Sequence, residues 1–380
     1  MSCPMDFKIG IIGGGQLGKM LAQEAKKLNL PVTVLDPTPQ CPAYSLVDRQ
    51  IVAGFYDEVK IRELVTSSDI TTFEIEHIST KVLKELQAMG HKIHPSPEVL
   101  EIIQDKAKQK QMLDKNGIPT ARWALVESDI AEAARKFGLP AVQKACKGGY
   151  DGRGVFVIQN PEDLSDALQC ESFLEELIPV EKELAVMVAR NIKGEVKCYP
   201  VVEMTFNHKA NICDDTIAPA RVEESIKKEA EDLAIRCVKA LDGVGIFGVE
   251  MFLTKNNRVL VNEIAPRPHN SGHYTIEACV TSQFEQHLRA ILGLPLGSTE
   301  LVMPAVMVNL LGAEGYQGKP CFEGIDEVLS IPGVSVHIYG KKETKPYRKM
   351  GHITVVDKNI ENALEKAEIV KKTIRVVSEG

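Results

Sequence analysis

Residues 8–36 read KIGIIGGGQLGKMLAQEAKKLNLPVTVLD. The apolar run Ile9–Ile12 leads into Gly13-Gly14-Gly15-Gln16-Leu17-Gly18, the spacing G-x-G-x-x-G. Leu17, Leu21, Ala25 and Leu28 then recur at helical intervals, and a second apolar run ends on Asp36. Strand, glycine turn, helix and strand with a terminal acid are the marks of a dinucleotide site, with the acid placed for a ribose hydroxyl. Read alone, the stretch supports an NAD-dependent oxidoreductase. What it records physically is narrower: a strand turning tightly into a helix whose first N–H groups face an anion.

Outward from this unit the alternation continues. "RQIVAG" and "DITTFEIEH" read as strands and "TKVLKELQAMG" as a helix ending at Gly90. Alternating β and α predicts a parallel sheet with helices on both faces. Glu74 and Glu76 fall at the carboxyl end of a strand, where such sheets bind ligands; an exposed rim is the other reading. "EVLEIIQDKAKQKQMLDKNGIP" reads as a helical pair stopped by Gly117 and Pro119.

The pattern changes after residue 120. "ARWALV", "PAVQKAC", "GVFVIQ" and "SFLEELI" read as strands around a helix over "DIAEAARKFG". Further strands are expected in "ELAVMVAR", "EVKCYPVVEMTF" and "ANICDDTIAPA", then a helix over "EESIKKEAEDLAIRCVKALDG". A hairpin over 245–266, one helix through "YTIEACVTSQFEQHLRAILG" and a final helix over "NIENALEKAEIVKK" complete the expectation. The fold class is therefore mixed, α/β followed by α+β.

Bulk properties limit the function. The chain has 380 residues, 44% hydrophobic, and a net charge of 45 minus 52, or −7. This acidity argues against general nucleic-acid binding. No apolar run approaches the ~20 residues of a membrane span. "MSCPMDF" has no leader pattern, so a cytoplasmic site is the default expectation. Nine cysteines without a C-x-x-C pair suggest neither a disulfide framework nor a zinc site.

Four segments concentrate ligand-type side chains. In the hairpin, a two-residue turn at Asn256-Asn257 would pair Lys255 with Arg258, Val249 with Ile264 and Glu250 with Glu263. The two carboxylates would then stand with Cβ atoms ~5 Å apart, unfavourable unless a cation lies between them. Mg²⁺ takes such hard oxygens when it also binds substrate phosphates, and Asn262 could add an amide oxygen. A three-residue turn would shift the register, and a slipped register would leave one Glu in water. In "KACKGGYDGRG", Gly148, Gly149, Gly152 and Gly154 can turn N–H groups toward an anion, with Lys144, Lys147 and Arg153 adding charge. Lys144 sits in an apolar strand, where a phosphate would explain it. "NEIAPRPHNSGHYT" packs Asn262, Glu263, Arg267, His269, Asn270, Ser271 and His273 between a strand and a helix. "YGKKETKPYRKMGHIT" clusters Lys341, Lys342, Lys345, Arg348 and Lys349, fit for an anion or a plain basic loop.

In this order the segments resemble the ATP-grasp superfamily, and within it the N5-carboxyaminoimidazole ribonucleotide synthetase family. "GGGQLGKM", "FEIEH", "GGYDGRG", "NEIAPRPHNSGHYTIEACVTSQFEQHLRAILGLPLG" and "RKMGHIT" carry the resemblance over nearly the whole chain. It implies three domains: a Rossmann-like pre-grasp domain over 1–104, a small lid over 105–182 and a larger grasp domain over 183–380. It implies ATP and Mg²⁺, or Mn²⁺ on the same oxygens, and no NAD. The implied reaction phosphorylates bicarbonate to carboxyphosphate and carboxylates 5-aminoimidazole ribonucleotide in purine biosynthesis. A homodimer through the first domain is implied as well. Formate-dependent glycinamide ribonucleotide transformylase is the neighbouring family to exclude.

Carried onto this chain, the resemblance puts ATP phosphates on Lys106 and Lys144 under the backbone of Gly149, Tyr150, Asp151, Gly152, Arg153 and Gly154. It puts adenine along Glu175, Glu176, Leu177 and Ile178, ribose on Glu183, and the metal on Glu250 and Glu263 beside Asn262. The ribonucleotide would meet Tyr150, Asp151, Arg153, Arg267, His269, Asn270, Ser271, Arg348 and Lys341 or its neighbour Lys342. Asp151 is the expected proton acceptor, with Arg153 and Arg267 stabilising charge. A histidine found near ATP in many members is replaced here by Phe206, with His208 two residues on. With ATP placed elsewhere, Gly13–Gly18 becomes a wall of the ribonucleotide and bicarbonate pocket, touching it through Gln16, and Asp36 an ordinary strand-end residue.

Overall fold

The structure, a computed structural model, describes residues 6–127, 129–149, 154–207 and 212–379. Ile9–Ile12 is buried at all four positions, as a parallel strand covered on both faces must be. It pairs in parallel with Val32–Asp36 on one side and Ile70–Phe73 on the other, and Arg49–Val52 adds the outer strand beyond Val32–Asp36. The turn after Ile12 needs its glycines. Gly13 has φ +103°, and a Cβ on Gly18 would lie 2.5 Å from the Gly13 carbonyl oxygen. Helix Gln16–Lys27 can start this close to its strand only without that carbon.

The helical pair follows as Pro97–Ile103 and Lys106–Lys115. Ser96 and Asp105 accept N–H groups of the first turns, which separates one helix from the next. A four-stranded antiparallel sheet comes next, in the order Trp123–Leu125, Ser172–Glu176, Ala141–Ala145, Val155–Ile158. Helix Ile130–Phe137 covers it with Ala134 and Phe137.

Among the described residues, most of the remaining strands build an antiparallel sheet of nine, and Pro320–Glu323 pairs with Arg375–Ser378 in a separate two-stranded sheet. In the large sheet Val259–Ala265 lies at one edge, followed by Gly245–Thr254 and Val180–Arg190. Beyond them come Val202–Asn207, Ile212–Ala218, Ala305–Leu311, Lys349–Val356 and Val334–Ile338. The single strand expected over 195–206 is two, Val196–Cys198 and Val202–Asn207. Pro200 has no N–H to carry a ladder through the break. The single helix expected over 274–293 is also two, Thr275–Ala278 and Gln283–Leu292. Ser282 opens the second by accepting the Glu285 N–H, 3.1 Å.

Helix Glu224–Ala240 packs Ala230, Leu233 and Cys237 onto Leu184, Val186, Phe247 and Val249 of the large sheet. Gln283–Leu292 ties the sheets together. Its Phe284, Leu288 and Ile291 share one core with Leu17 and Leu21 of the first helix. His287, fully buried, reaches Thr72 Oγ1 of the parallel sheet at 2.8 Å and accepts the Ile246 N–H of the large sheet at 3.1 Å. Among the described residues no helix is long and apolar enough to cross a membrane.

Candidate active site

The hairpin pairs Glu250 with Glu263, but not through the expected turn. Thr254 N–H donates to Arg258 O at 2.9 Å, so three residues form the loop, with Asn257 at φ +56°. That turn pairs Leu253 with Val259 and Met251 with Val261. A bulge then shifts the register so that Glu250 meets Glu263 and Val249 meets Ile264. The residue left over is Asn262. The outer edge of the strand shows the same insertion. Val261 N–H donates to Pro119 O at 2.8 Å and Ile264 N–H to Gln109 Oε1 at 2.9 Å. Outward N–H groups three residues apart, rather than two, require one extra residue between them.

These residues border a cleft of about 480 Å³ between the small sheet and the large one. Burial and the neighbouring Glu263 push the Glu250 carboxyl up to about 8, against the pull of Lys106 and Lys349. Lys106 Nζ sits 2.8 Å from Glu263 Oε2. Burial opposes the charge on Lys106, but Glu263, Glu250 and Glu76 outweigh it and raise its pKa. Glu183, one strand over, is pushed to about 7 by burial, with Lys144 opposing.

Lys144 is not the unpaired lysine its sequence context suggested. Its ammonium pairs with Glu175 and lies 3.2 Å from Asn262 Oδ1. Glu175, nearly inaccessible, also pairs with the equally buried Lys110. Burial opposes the charge on Glu175, yet the two lysines hold its carboxyl below the usual range. Glu176, Leu177 and Ile178 border the same cleft where the small sheet passes into Val180–Arg190.

The polar turn closes the cleft. Arg267 Nε lies 3.1 Å from Glu76 Oε1, so that acid is not an exposed rim. His269 Nε2 lies 3.3 Å from Glu250 Oε1, and burial, with Arg267 and Lys349 nearby, drives the ring down to about 3. Asn270 Nδ2 is buried without a hydrogen-bond partner. The glycine loop is turned inward. Gly14 N–H donates to Asp36 Oδ2 at 2.9 Å and Gly15 N–H to Glu74 Oε1 at 2.7 Å. Asp36 also accepts the Thr38 N–H, 2.8 Å, so it is a cap for the loop and not an ordinary strand end. Burial pushes Glu74 up to about 7, against the Gly15 N–H and Arg267.

Of the residues singled out in the sequence, Lys106, Lys144, Gly149, Glu175, Glu176, Leu177, Ile178 and Glu183 border this one cleft. So do Glu250, Asn262, Glu263, Arg267, His269, Asn270 and Ser271. Gln16, Gly154, Lys341 and Arg348 are not among its lining. Lys341 Nζ donates to Lys349 O at 2.7 Å, Lys342 Nζ to Gln40 Oε1 at 2.8 Å, and Arg348 to Glu343 O at 2.8 Å. Tyr150, Asp151, Gly152, Arg153 and His208 lie outside the described residues. Lys349 borders the cleft with no role assigned from sequence, as do Phe206 and Cys213. Lys349 carried a signal in its place in the basic run, and Phe206 in standing where many family members have a histidine; Cys213 carried none.

Comparison with known proteins agrees along the chain. Residues 5–104 match the ribonucleotide synthetase preATP-grasp domain, 111–284 the ATP-grasp domain, and 305–366 the phosphoribosylaminoimidazole carboxylase C-terminal domain. A phosphoribosylaminoimidazole carboxylase of Ogataea methanolica is 45% identical over 96% of this chain and 69% of its own. The chain thus spans about two thirds of that relative. The crystal structure of N5-carboxyaminoimidazole ribonucleotide synthetase from Thermotoga maritima is 61% identical, covers 98% of this chain and 100% of its own, and superposes with a TM-score of 0.92. An Aspergillus clavatus N5-carboxyaminoimidazole synthase, solved with ADP and 5-aminoimidazole ribonucleotide, is 36% identical, covers 98% and 99%, and has a TM-score of 0.90.

Proposed function

Because the chain belongs to the N5-carboxyaminoimidazole ribonucleotide synthetase family of ATP-grasp enzymes, we propose that it carboxylates 5-aminoimidazole ribonucleotide with bicarbonate, cleaving ATP to ADP and phosphate in purine biosynthesis. The observation that carries this reading is one cleft joining a phosphate-type lysine pair, an opposed glutamate pair and the Arg267–Ser271 turn.

Lys106 and Lys144 hold the ATP phosphates, each exchanging part of its present carboxylate or amide partnership for phosphate oxygen. Glu176–Ile178 presents backbone to adenine, and Glu183 takes the ribose. Glu250 and Glu263, with Asn262, suit Mg²⁺: two hard carboxylates face each other at the cleft with an amide oxygen beside them. With two protein carboxylates in place, substrate phosphate oxygens would complete such a site. When bound, the ion neutralises charge on those phosphates.

Arg267, His269, Asn270, Ser271 and the basic 341–349 segment receive the ribonucleotide, together with Tyr150, Asp151 and Arg153. The buried, unpartnered Asn270 Nδ2 offers it a donor. Asp151 accepts the amine proton as the carbon–nitrogen bond forms. Enclosure of the cleft during turnover keeps water from carboxyphosphate. The working state is a cytoplasmic homodimer paired through the first domain, where Tyr56 and Val59 are exposed.

ADP release, followed with and without the ribonucleotide while bicarbonate is varied, tests the reading. Strong stimulation by the ribonucleotide is expected. Turnover indifferent to it refutes the assignment.

A further inference from the structure

The Arg267–Ser271 turn has no regular secondary structure over Arg267–His269, yet it must hold three side chains against one ligand. What holds it is a residue outside the cleft. Gln283, the first residue of helix Gln283–Leu292, is fully buried. Its Oε1 accepts the His269 N–H at 2.9 Å, and its Nε2 donates to the His269 carbonyl at 2.8 Å. Both backbone groups of His269 are thus satisfied by one side chain, as a neighbouring strand would satisfy them. A primary amide carries a donor and an acceptor side by side in that geometry at any pH. The same Nε2 lies 3.1 Å from His273 Nδ1, whose ring stacks at 4.6 Å on His352 of the strand that begins at Lys349. The Gln283 N–H donates to Thr275 Oγ1 at 2.9 Å, and that hydroxyl donates to Gly272 O at 2.6 Å.

The amide therefore pins the turn at His269 and, through His273, braces it against the basic strand. Its own position is rigid. Its helix is bound into the first sheet's core by Phe284 and Leu288 and bridged to both sheets by His287. Asn270, next to the pinned residue, has its donor unpartnered and buried. Arg267, two residues before it, faces Glu76.

We propose that Gln283 is a positioning residue for the ribonucleotide, one that sets the backbone of His269 and thereby the aim of Arg267 and Asn270. This rests on the ligase reading above. It requires that the ATP half of the cleft, built on Lys106, Lys144 and Glu175–Ile178, be independent of the amide.

The test is steady-state kinetics of the full-length enzyme carrying Gln283→Met, which keeps the length and removes both hydrogen bonds. The ribonucleotide KM should rise about tenfold while the ATP KM stays within about twofold. Gln283→Glu keeps the acceptor for the His269 N–H and sets a carboxylate oxygen against the His269 carbonyl. It should show the same split to a smaller degree. Melting curves report whether each variant is folded. If both KM values move together in a folded variant, or neither moves, the positioning role is refuted. Failure of both variants to fold would assign Gln283 to fold maintenance and refute it equally. A wild-type enzyme insensitive to the ribonucleotide would instead refute the ligase reading, so the two failures are distinguishable.

Discussion

Glu250 and Glu263 stand as a registered pair although the turn between their strands is set for a register one residue away. The Thr254–Arg258 turn by itself would place Asn262 opposite Glu250. The bulge at Asn262 restores the pairing of the two acids, and all three residues border the cleft. A bulge beside an active site re-aims side chains, and here it gathers three oxygen donors where a regular hairpin would alternate them.

Glu263→Gln follows from this pair. It removes one hard ligand and the partner of Lys106, 2.8 Å away. ADP release should fall to background while the circular dichroism spectrum is unchanged. Normal turnover in this variant would sink the metal assignment.

Glu175→Gln addresses the buried carboxylate between Lys110 and Lys144. The change leaves Lys110 buried with its charge uncompensated. Urea unfolding should show a loss of about 3–5 kcal/mol, the range for removing one partner of a buried pair. The ATP KM should rise as Lys144 loses its anchor. A variant as stable as the wild type would mean that the three groups are not coupled.

Arg348→Ala tests the basic segment. Arg348 now donates to Glu343 O and does not border the cleft. If it meets the ribonucleotide during turnover, the ribonucleotide KM should rise more than the ATP KM. The reverse order would remove Arg348 from the substrate's phosphate.

His287→Gln tests the bridge between the sheets through acid sensitivity. Burial holds the His287 ring down to about 3, against 6.5 as its ordinary value. Between those values the unfolded chain binds a proton that the folded one refuses. Stability is therefore full above about 6.5 and falls as pH drops toward 3. His94, down to about 4, and His269, down to about 3, act with the same sign. The variant should melt lower at neutral pH, yet lose less melting temperature than the wild type on acidification to about pH 5. An unchanged acid dependence would show that His287 is not one of the titrating groups.

Much of the architecture could be read from local signals. The parallel opening sheet, the capped helical pair, the small antiparallel sheet and the long helix over 224–240 all follow period and punctuation. The misses have local causes with nonlocal settings. Pro200 and Ser282 were visible, but whether each interrupts an element depended on what packs there. The hairpin register was correct at Glu250 and Glu263 for the wrong reason. A two-residue turn without a bulge and a three-residue turn with one give the same pairing there.

The residue types at the cleft were set by the chain alone: a lysine inside an apolar strand, two acids on facing strands, and a turn dense in Arg, His and Asn. Such types follow from the ligand chemistry they must meet, and chemistry is local to a side chain. Their partners were decided only by the tertiary structure. Asp36 and Glu74 satisfy the glycine loop, Glu175 joins Lys144 to Lys110, and Gln283 pins His269. A hydrogen bond or ion pair needs atoms within a few ångströms, and that proximity comes from sheets and helices packing together, which no local spacing encodes. For that reason G-x-G-x-x-G specified a tight strand-to-helix turn, while the fold decided that two of its N–H groups face the protein's own carboxylates.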